Sequence, residues 1–241
     1  LSRLGADVRR SLLVPVVCMQ TIAANLGSML TPIGNPQNLY LYGKSGMSIG
    51  GFVLLMLPYT LVSLLLLLAW AALVCRKASA ALSVDELVSS SASQGDQKII
   101  LLYLVLFAVC LLSVIRVLPY GIAFAAVLVC ALFADPRTLR TVDYSLLLTF
   151  VAFFIFIGNL GRIPAFSGWL QEFLTGREVL VAVLASQVTS NVPAALLLSG
   201  FTAETQALII GTNLGGLGTL IASMASLISY RQIARELPQG K

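Results

Sequence analysis

The sequence predicts an all-α polytopic membrane protein with broken helices and a re-entrant helical hairpin. Three observations carry that expectation. Charge is scarce: 10% of the 241 residues are Asp, Glu, Lys or Arg, 58% are apolar, and mean hydropathy is +0.94, whereas a soluble domain carries about 25% charged residues. The charges also leave long gaps, the widest running over 11–43 and 45–75, and a spanning helix needs about 20 mainly apolar residues. Finally, two apolar stretches far apart in the chain are interrupted by related polar, glycine-bearing motifs.

Each element follows from where apolar runs meet helix breakers. Residues 12–42 are apolar but broken by TPIGNPQN at 31–38, since two prolines and a glycine in eight residues cannot continue a helix. Residues 49–75 read as one long span, and the polar 78–98 as a cytoplasmic linker. Two shorter spans, 99–117 and 120–134, turn at Leu118-Pro119-Tyr120-Gly121. A charged turn at Asp135-Pro136-Arg137 leads to a span over 144–160. Beyond it, the apolar runs 179–189 and 193–200 would each reach only ~12–17 Å, about half the hydrocarbon thickness. They flank Ser190-Asn191-Val192-Pro193, so 166–203 is expected to be a hairpin that enters and leaves on one side. Such irregular backbone is tolerated in a membrane only when buried in protein or facing water, which makes the tip a candidate binding site. The last apolar stretch, 205–230, is broken by Asn213-Leu214-Gly215-Gly216-Leu217-Gly218-Thr219.

The net charge of +5 reads as an orientation signal, not as a nucleic-acid footprint, because the basic residues occupy the short loops. With the N-terminus inside, Arg3, Arg9, Arg10, Arg76, Lys77, Lys98, Arg137, Arg140, Arg231, Arg235 and Lys241 fall inside, and Lys44, Arg116, Arg162 and Arg177 outside. The expected location is the cell membrane, a multi-pass protein of a bacterial plasma membrane. Cys18, Cys75, Cys110 and Cys130 have no metal-like spacing and read as packing residues. The absence of histidine excludes a His-based metal site, triad or proton relay, and no enzyme activity is expected.

The two interruptions resemble each other. Residues 22–42 align without a gap on 210–230, an offset of 188 positions, with eight identities that include Asn25/Asn213, Gly27/Gly215 and Thr31/Thr219. Under the charge-based topology, 12–42 runs outward and 205–230 inward, as an inverted-topology repeat demands. Corresponding interruptions in two halves are the best sequence pointer to a transporter's binding site.

Helix breaks supply the chemistry there. Asn35-Pro36 fits an N-cap and first helical position, and Asn191 or Val192 followed by Pro193 fits similarly. A helix N-terminus presents free N–H groups and about half a positive charge, which suits an anion. Carbonyls freed at the breaks, with Asn and Thr side chains, could instead hold a cation, with sodium expected near Asn25, Asn35, Asn191 and Asn213. No acidic residue lies centrally in an apolar stretch, so a midplane carboxylate is missing from this chain.

At these residues the chain resembles the ion transporter superfamily. TIAANLGSMLTPIGNPQNLYL at 21–41, VDYSLLLTFVAFFIFIGNL at 142–160, SQVTSNVPAALLLSGF at 186–201 and TNLGGLGTLIASMASLISY at 212–230 look like the citrate-transporter-like permeases. That group includes arsenite-efflux and sodium/proton-antiporter permeases and, more distantly, divalent anion/sodium symporters. The resemblance implies hairpins with Asn-bearing tips beside unwound helices, and substrate and sodium bound between the tips. It assigns Ser190, Asn191 and Pro193 to the second tip, and Asn213, Gly215, Gly216, Gly218 and Thr219 to the second unwound helix. To the first unwound helix it assigns Asn25, Gly27, Thr31, Gly34, Asn35 and Asn38.

The first tip has no counterpart here. Leu1 is not an initiator methionine and no signal-peptide layout follows it, so the chain is expected to be the latter part of a two-repeat protein. Residues 1–77 would close the first repeat and 99–241 form the second, joined by 78–98. The function implied is secondary active transport of a small anion or oxyanion, citrate-like or arsenite-like, by elevator movement coupled to sodium or protons. The alternatives are a sodium/proton antiporter and an inactive or structural membrane subunit. The expected partners are a small anionic substrate, the bilayer, the missing N-terminal half and a second copy in a homodimer. No nucleic acid and no cofactor beyond sodium are expected. The tip reads SNVPAA instead of the Ser-Asn-Thr of dicarboxylate symporters, which sets dicarboxylates aside as an assumed substrate.

Overall fold

The computed structural model describes residues 6–78 and 97–236, and among these every regular element is an α-helix, twelve in number. The first broken segment gives α1 (Ala6–Ser28) and α2 (Pro36–Ser45), parted over 29–35. Next comes α3 (Ile49–Ala78). Its stretch Ile49–Val74 is, among the described residues, the one continuous helix long and apolar enough to cross a bilayer by itself. Of the polar segment expected as a linker, residues 79–96 lie outside the described residues.

The two short spans appear as α4 (Gln97–Val114) and α5 (Tyr120–Ala134). The sequence reading made 135–137 a turn, but the chain continues as α6 (Pro136–Thr141) because Asp135 caps it, accepting from the Thr138 N–H, and Pro136 fits the first helical position. Then follow α7 (Tyr144–Leu160), α8 (Pro164–Leu174), α9 (Glu178–Thr189), α10 (Asn191–Leu198), α11 (Thr205–Leu214) and α12 (Met224–Glu236). The stretch 166–203, read from sequence as a single hairpin, therefore holds three helices. Residues 164–174 form one of their own, opened by Pro164 and bent 100° from α7.

The described chain packs as two compact units, one of residues 6–78 with 151–236 and one of residues 97–150. In the first, α11 lies against α9 and α10, α2 against α10 and α11, and α1 against α3 and α12. Small residues allow the approach: Ala182, Ala194 and Ala195 are fully buried. A Cβ on Gly211 would stand 2.6 Å from the Ala182 Cβ. Close packing through Gly and Ala is how helices associate where lipid removes the hydrophobic driving force. The outward face of α3 is apolar, with Leu54, Leu65, Leu66 and Leu73 exposed.

In the second unit α4 packs on α5. Asp135 accepts from the Thr138 hydroxyl at 2.7 Å and the Tyr103 hydroxyl at 2.9 Å. These donors, Thr138 first, hold its carboxyl below the usual carboxylate range.

Candidate functional site

The first break is turned by Gly34, where a Cβ would fall 1.8 Å from the Ser28 carbonyl oxygen. Only glycine fits there. Asn35 then caps α2 as its sequence predicts, with extended backbone, its Oδ1 accepting from the Asn38 N–H at 3.0 Å and Pro36 following. Its Nδ2 reaches out of the break and donates to Asn213 Oδ1 at 3.0 Å. Asn38, fully buried, donates to the carbonyls of Met29 and Thr31, both at 3.3 Å, and accepts from Asn213 Nδ2. The break's loose carbonyls are thus partly satisfied by a side chain, as buried backbone requires.

The second break begins where α11 ends, at Gly215, whose Cβ would stand 2.8 Å from the Ser186 Cβ. Gln187, one turn before the hairpin tip, holds this unwound stretch. Its Nε2 donates to the carbonyls of Gly215 at 2.8 Å and Leu217 at 3.1 Å. Its Oε1 accepts from the Thr219 N–H at 3.0 Å, and the Thr219 hydroxyl donates to the Gln187 carbonyl at 2.9 Å. Gly218, at φ 128, leaves room for that carboxamide. The stretch ends at Ser223, whose Oγ accepts from the Ser226 N–H at 3.2 Å and from Asn25 Nδ2 at 2.9 Å.

These contacts mirror each other. Under the 188-position offset, Asn25 corresponds to Asn213 and Asn35 to Ser223. The bond from Asn35 to Asn213 therefore has its counterpart in the bond between Ser223 and Asn25. The second helices also restart in register, α2 at Pro36 and α12 at Met224.

Between α9 and α10 stands one residue, Ser190, at φ 76 and ψ 153, a region that side-chain-bearing residues rarely enter. The sequence pattern pointed to Asn191 or Val192 as the cap. The structure makes Ser190 the capping position instead, with no side-chain cap bond, because its positive φ turns the chain a residue earlier. The Asn191 N–H donates to the Ala222 carbonyl at 3.0 Å. The Asn191 side chain is 7% exposed, sits beside Gly216, and has no hydrogen-bond partner among the described residues. Among the described residues no fully buried side-chain nitrogen or oxygen lacks a partner, so this carboxamide stays open to solvent or a ligand.

At the other end of these helices a cavity of about 830 Å³ is lined by Lys44, Gln171, Thr175, Glu178, Ser199 and Glu204, among others. Because Glu178 opens α9 and Ser199 follows α10, both ends of the pair face this cavity, while Ser190 lies against Ala222. The two helices double back on each other. Lys44 donates to the Ser199 carbonyl, and burial pushes its amine below the usual lysine value. Tyr40 and Ser199 share a hydroxyl bond at 3.0 Å.

The structure thus gathers Asn25, Asn35, Asn38, Ser190, Asn191, Asn213, Gly215, Gly216, Gly218 and Thr219 around the segment 213–223. The start of three helices, α2, α10 and α12, meets that segment. Thr31 contributes its carbonyl, and Pro193 lies in the first turn of α10. Gly27 is not brought in, for a Cβ there would meet nothing within 4 Å. Gln187 was missed by the sequence reading, although a glutamine in an otherwise apolar arm was a visible signal. The same holds for Gln37, 2% exposed in the first turn of α2.

The citrate transporter family profile matches residues 2–229 of this chain. The chain belongs to the citrate transporter family. Over 95% of its length it is 34% identical to the inner membrane protein YbiR of Escherichia coli, covering 62% of that protein. Over 90% of its length it is 32% identical to an uncharacterised transporter of Methanocaldococcus jannaschii, covering 57% of that one. The chain therefore spans about three fifths of the curated relatives it matches. No solved structure matches it. In this member of the citrate transporter family, a membrane protein, the polar network lies at the helix breaks.

Proposed function

We propose that this chain carries substrate- and ion-binding elements of a secondary active transporter for a small anion or oxyanion, coupled to sodium or protons. The observation that carries the reading is the gathering of the starts of α2, α10 and α12 about the end of α11 and the unwound stretch after it, with the Asn191 carboxamide beside Gly216 and without a hydrogen-bond partner among the described residues. Helix N-termini favour negative charge without any basic side chain. Asn191 has donor and acceptor capacity to spare for a ligand's oxygens. The coupling ion suits the carbonyls of Gly215 and Leu217, which converge on the single Nε2 of Gln187, a geometry that also fits a cation. That convergence favours a second reading, sodium/proton antiport, in which the ion is itself the cargo.

In this account α9 and α10 form a re-entrant hairpin. At 12 and 8 residues they extend only ~18 and ~12 Å, too short to cross. The reciprocal bonds of Asn35 to Asn213 and Asn25 to Ser223 support an inverted repeat whose halves cross at this point. An elevator movement would carry the hairpin, α2 and α11 together, since these pack on one another. A second hairpin in the part of the relatives that this chain does not cover would complete the site, and a homodimer is the assembly we expect.

The test is gradient-driven uptake of labelled citrate and of arsenite by the protein, at its full natural length, in proteoliposomes. Asn191→Ala combined with Asn213→Ala is expected to abolish uptake while the protein still elutes as a folded species. Unchanged uptake in that variant would remove the assigned site.

A further inference from the structure

A second cavity, of about 270 Å³, lies where α1 packs on both α3 and α11. Ile22 and Leu26, one turn apart on α1, form one wall. Ser63, Leu67 and Trp70, spaced along one face of α3, form another. The third is the end of α11 itself, Leu214, with Leu217 of the unwound stretch. Apart from the Ser63 hydroxyl and the Trp70 indole N–H, the lining is hydrocarbon, and none of the lining residues is charged. Water settles in a cavity only where several polar partners hold it, so this one calls for an apolar occupant.

Position names that occupant. Leu66 lines the cavity and is itself 66% exposed, so the mouth gives onto the outward apolar face of α3, beside Leu65 and Leu68. Helix α3 holds the one continuous stretch, among the described residues, able to cross a bilayer by itself. Residues 63–70 stand 6 to 13 positions before Arg76, which places them about 9–20 Å from that charge along the helix. One leaflet of a bilayer core is about 15 Å deep. The mouth therefore opens at the depth of lipid chains, clear of headgroups and of water.

We infer that this cavity binds one acyl chain of a membrane phospholipid, which enters past Leu66 from the leaflet on the Arg76 side and ends against Leu214 and Leu217. Moving a chain from lipid into the protein brings no hydrophobic gain, since both are apolar. The gain is dispersion contact, which atoms lining a cavity otherwise forfeit. Leu217 belongs to the stretch whose carbonyls Gln187 holds. A chain seated there packs on the same backbone as the polar network, and so gives bilayer composition a means of acting on the helix breaks. The site requires only a membrane around α3 and is independent of the transport reading.

The test places the protein, at its full natural length, in vesicles of phosphatidylethanolamine and phosphatidylglycerol doped with a phosphatidylcholine that carries a diazirine near the middle of one chain. Light fixes that chain to what it touches, and peptide mapping by mass spectrometry locates the adducts. Adducts are expected on Leu214 or Leu217 as well as on the outward leucines of α3. Leu67→Phe puts a ring in the cavity and should lower the inner adducts about tenfold or more, because ring and chain overpack the same space. Those on Leu65 and Leu68 should stay unchanged. Adducts on α3 alone overturn the inference, because chains then pass the mouth without entering. Adducts on neither wall overturn it too, because another protein segment then covers the mouth. If Leu67→Phe does not fold, Ile22→Phe fills the cavity from the α1 side. Inner adducts undiminished in the filled variant also overturn the inference, since the chain would be arriving by another route.

Discussion

Asn35 and Asn213, 178 positions apart in the chain, meet carboxamide to carboxamide at 3.0 Å. Asn35 uses its oxygen to cap α2 and its nitrogen to hold Asn213, so a single side chain serves local and long-range structure at once. Asn213 is nearly fully buried and donates in turn to Asn38 and to the Ile209 carbonyl.

Breaking that pair leaves a buried amide unmatched. Asn35→Ala and Asn213→Ala should each cost about 1–3 kcal/mol in unfolding free energy. The double variant should cost less than their sum by about 1 kcal/mol, since the two share one contact. Asn35→Ser keeps the cap and isolates the loss of the long-range bond. Unfolding in detergent, followed by circular dichroism, reads all four.

Glycine positions should divide by available space. Gly211→Ala forces a Cβ to 2.6 Å from the Ala182 Cβ and 2.7 Å from the Val179 carbonyl oxygen, and should destabilise by about 1–3 kcal/mol. Gly27→Ala, in open space near the end of α1, should be neutral or stabilising by up to about 1 kcal/mol. Melting temperatures of the two variants check this.

Gln187 should act through the segment it holds. Gln187→Leu removes the donations to the Val183, Gly215 and Leu217 carbonyls and the acceptance from the Thr219 N–H. Amide exchange over residues 215–222 should then quicken by about tenfold or more, while α3 exchanges as before. Unchanged exchange over 215–222 would show that other contacts suffice.

Lys44 gives a pH signature. Burial holds its amine below the ordinary 10.5, so the folded state binds fewer protons than the unfolded state between the lowered value and 10.5. Stability contributed by this group therefore rises with pH across that window. Below the window both states are protonated and the burial penalty is present in full. Above it neither is, and the penalty is gone. The stability difference between the unmodified protein and Lys44→Met should shift in favour of lysine as pH rises toward 10.5. A flat difference would contradict the assignment.

Much of the break architecture was legible in the sequence because breakers are local. Asn35-Pro36 announced its own cap, and eight identities between 22–42 and 210–230 anticipated that α2 and α12 would restart in register. What escaped needs three dimensions. The positive φ of Ser190 moves the start of α10 by a residue, and no residue-type preference reports it. The role of Gln187 depends on carbonyls 28 and 30 positions away. The helix α8 was absorbed into the hairpin because its serine and glycine weaken the apolar run, while the stacking of Trp169 on Phe173 becomes visible only once the chain bends.

Asn191 is the residue on which the transport reading turns: its side chain is 7% exposed, sits beside Gly216 and makes no hydrogen bond among the described residues. The measurement is gradient-driven anion uptake into proteoliposomes holding the full-length protein, with Asn191→Ala beside the unmodified chain and melting temperature recorded for both. Uptake by Asn191→Ala should fall by about tenfold or more, since about 1.4 kcal/mol of lost binding is tenfold, with the melting temperature held or raised because no internal side-chain bond is removed. Full uptake by Asn191→Ala would contradict that reading.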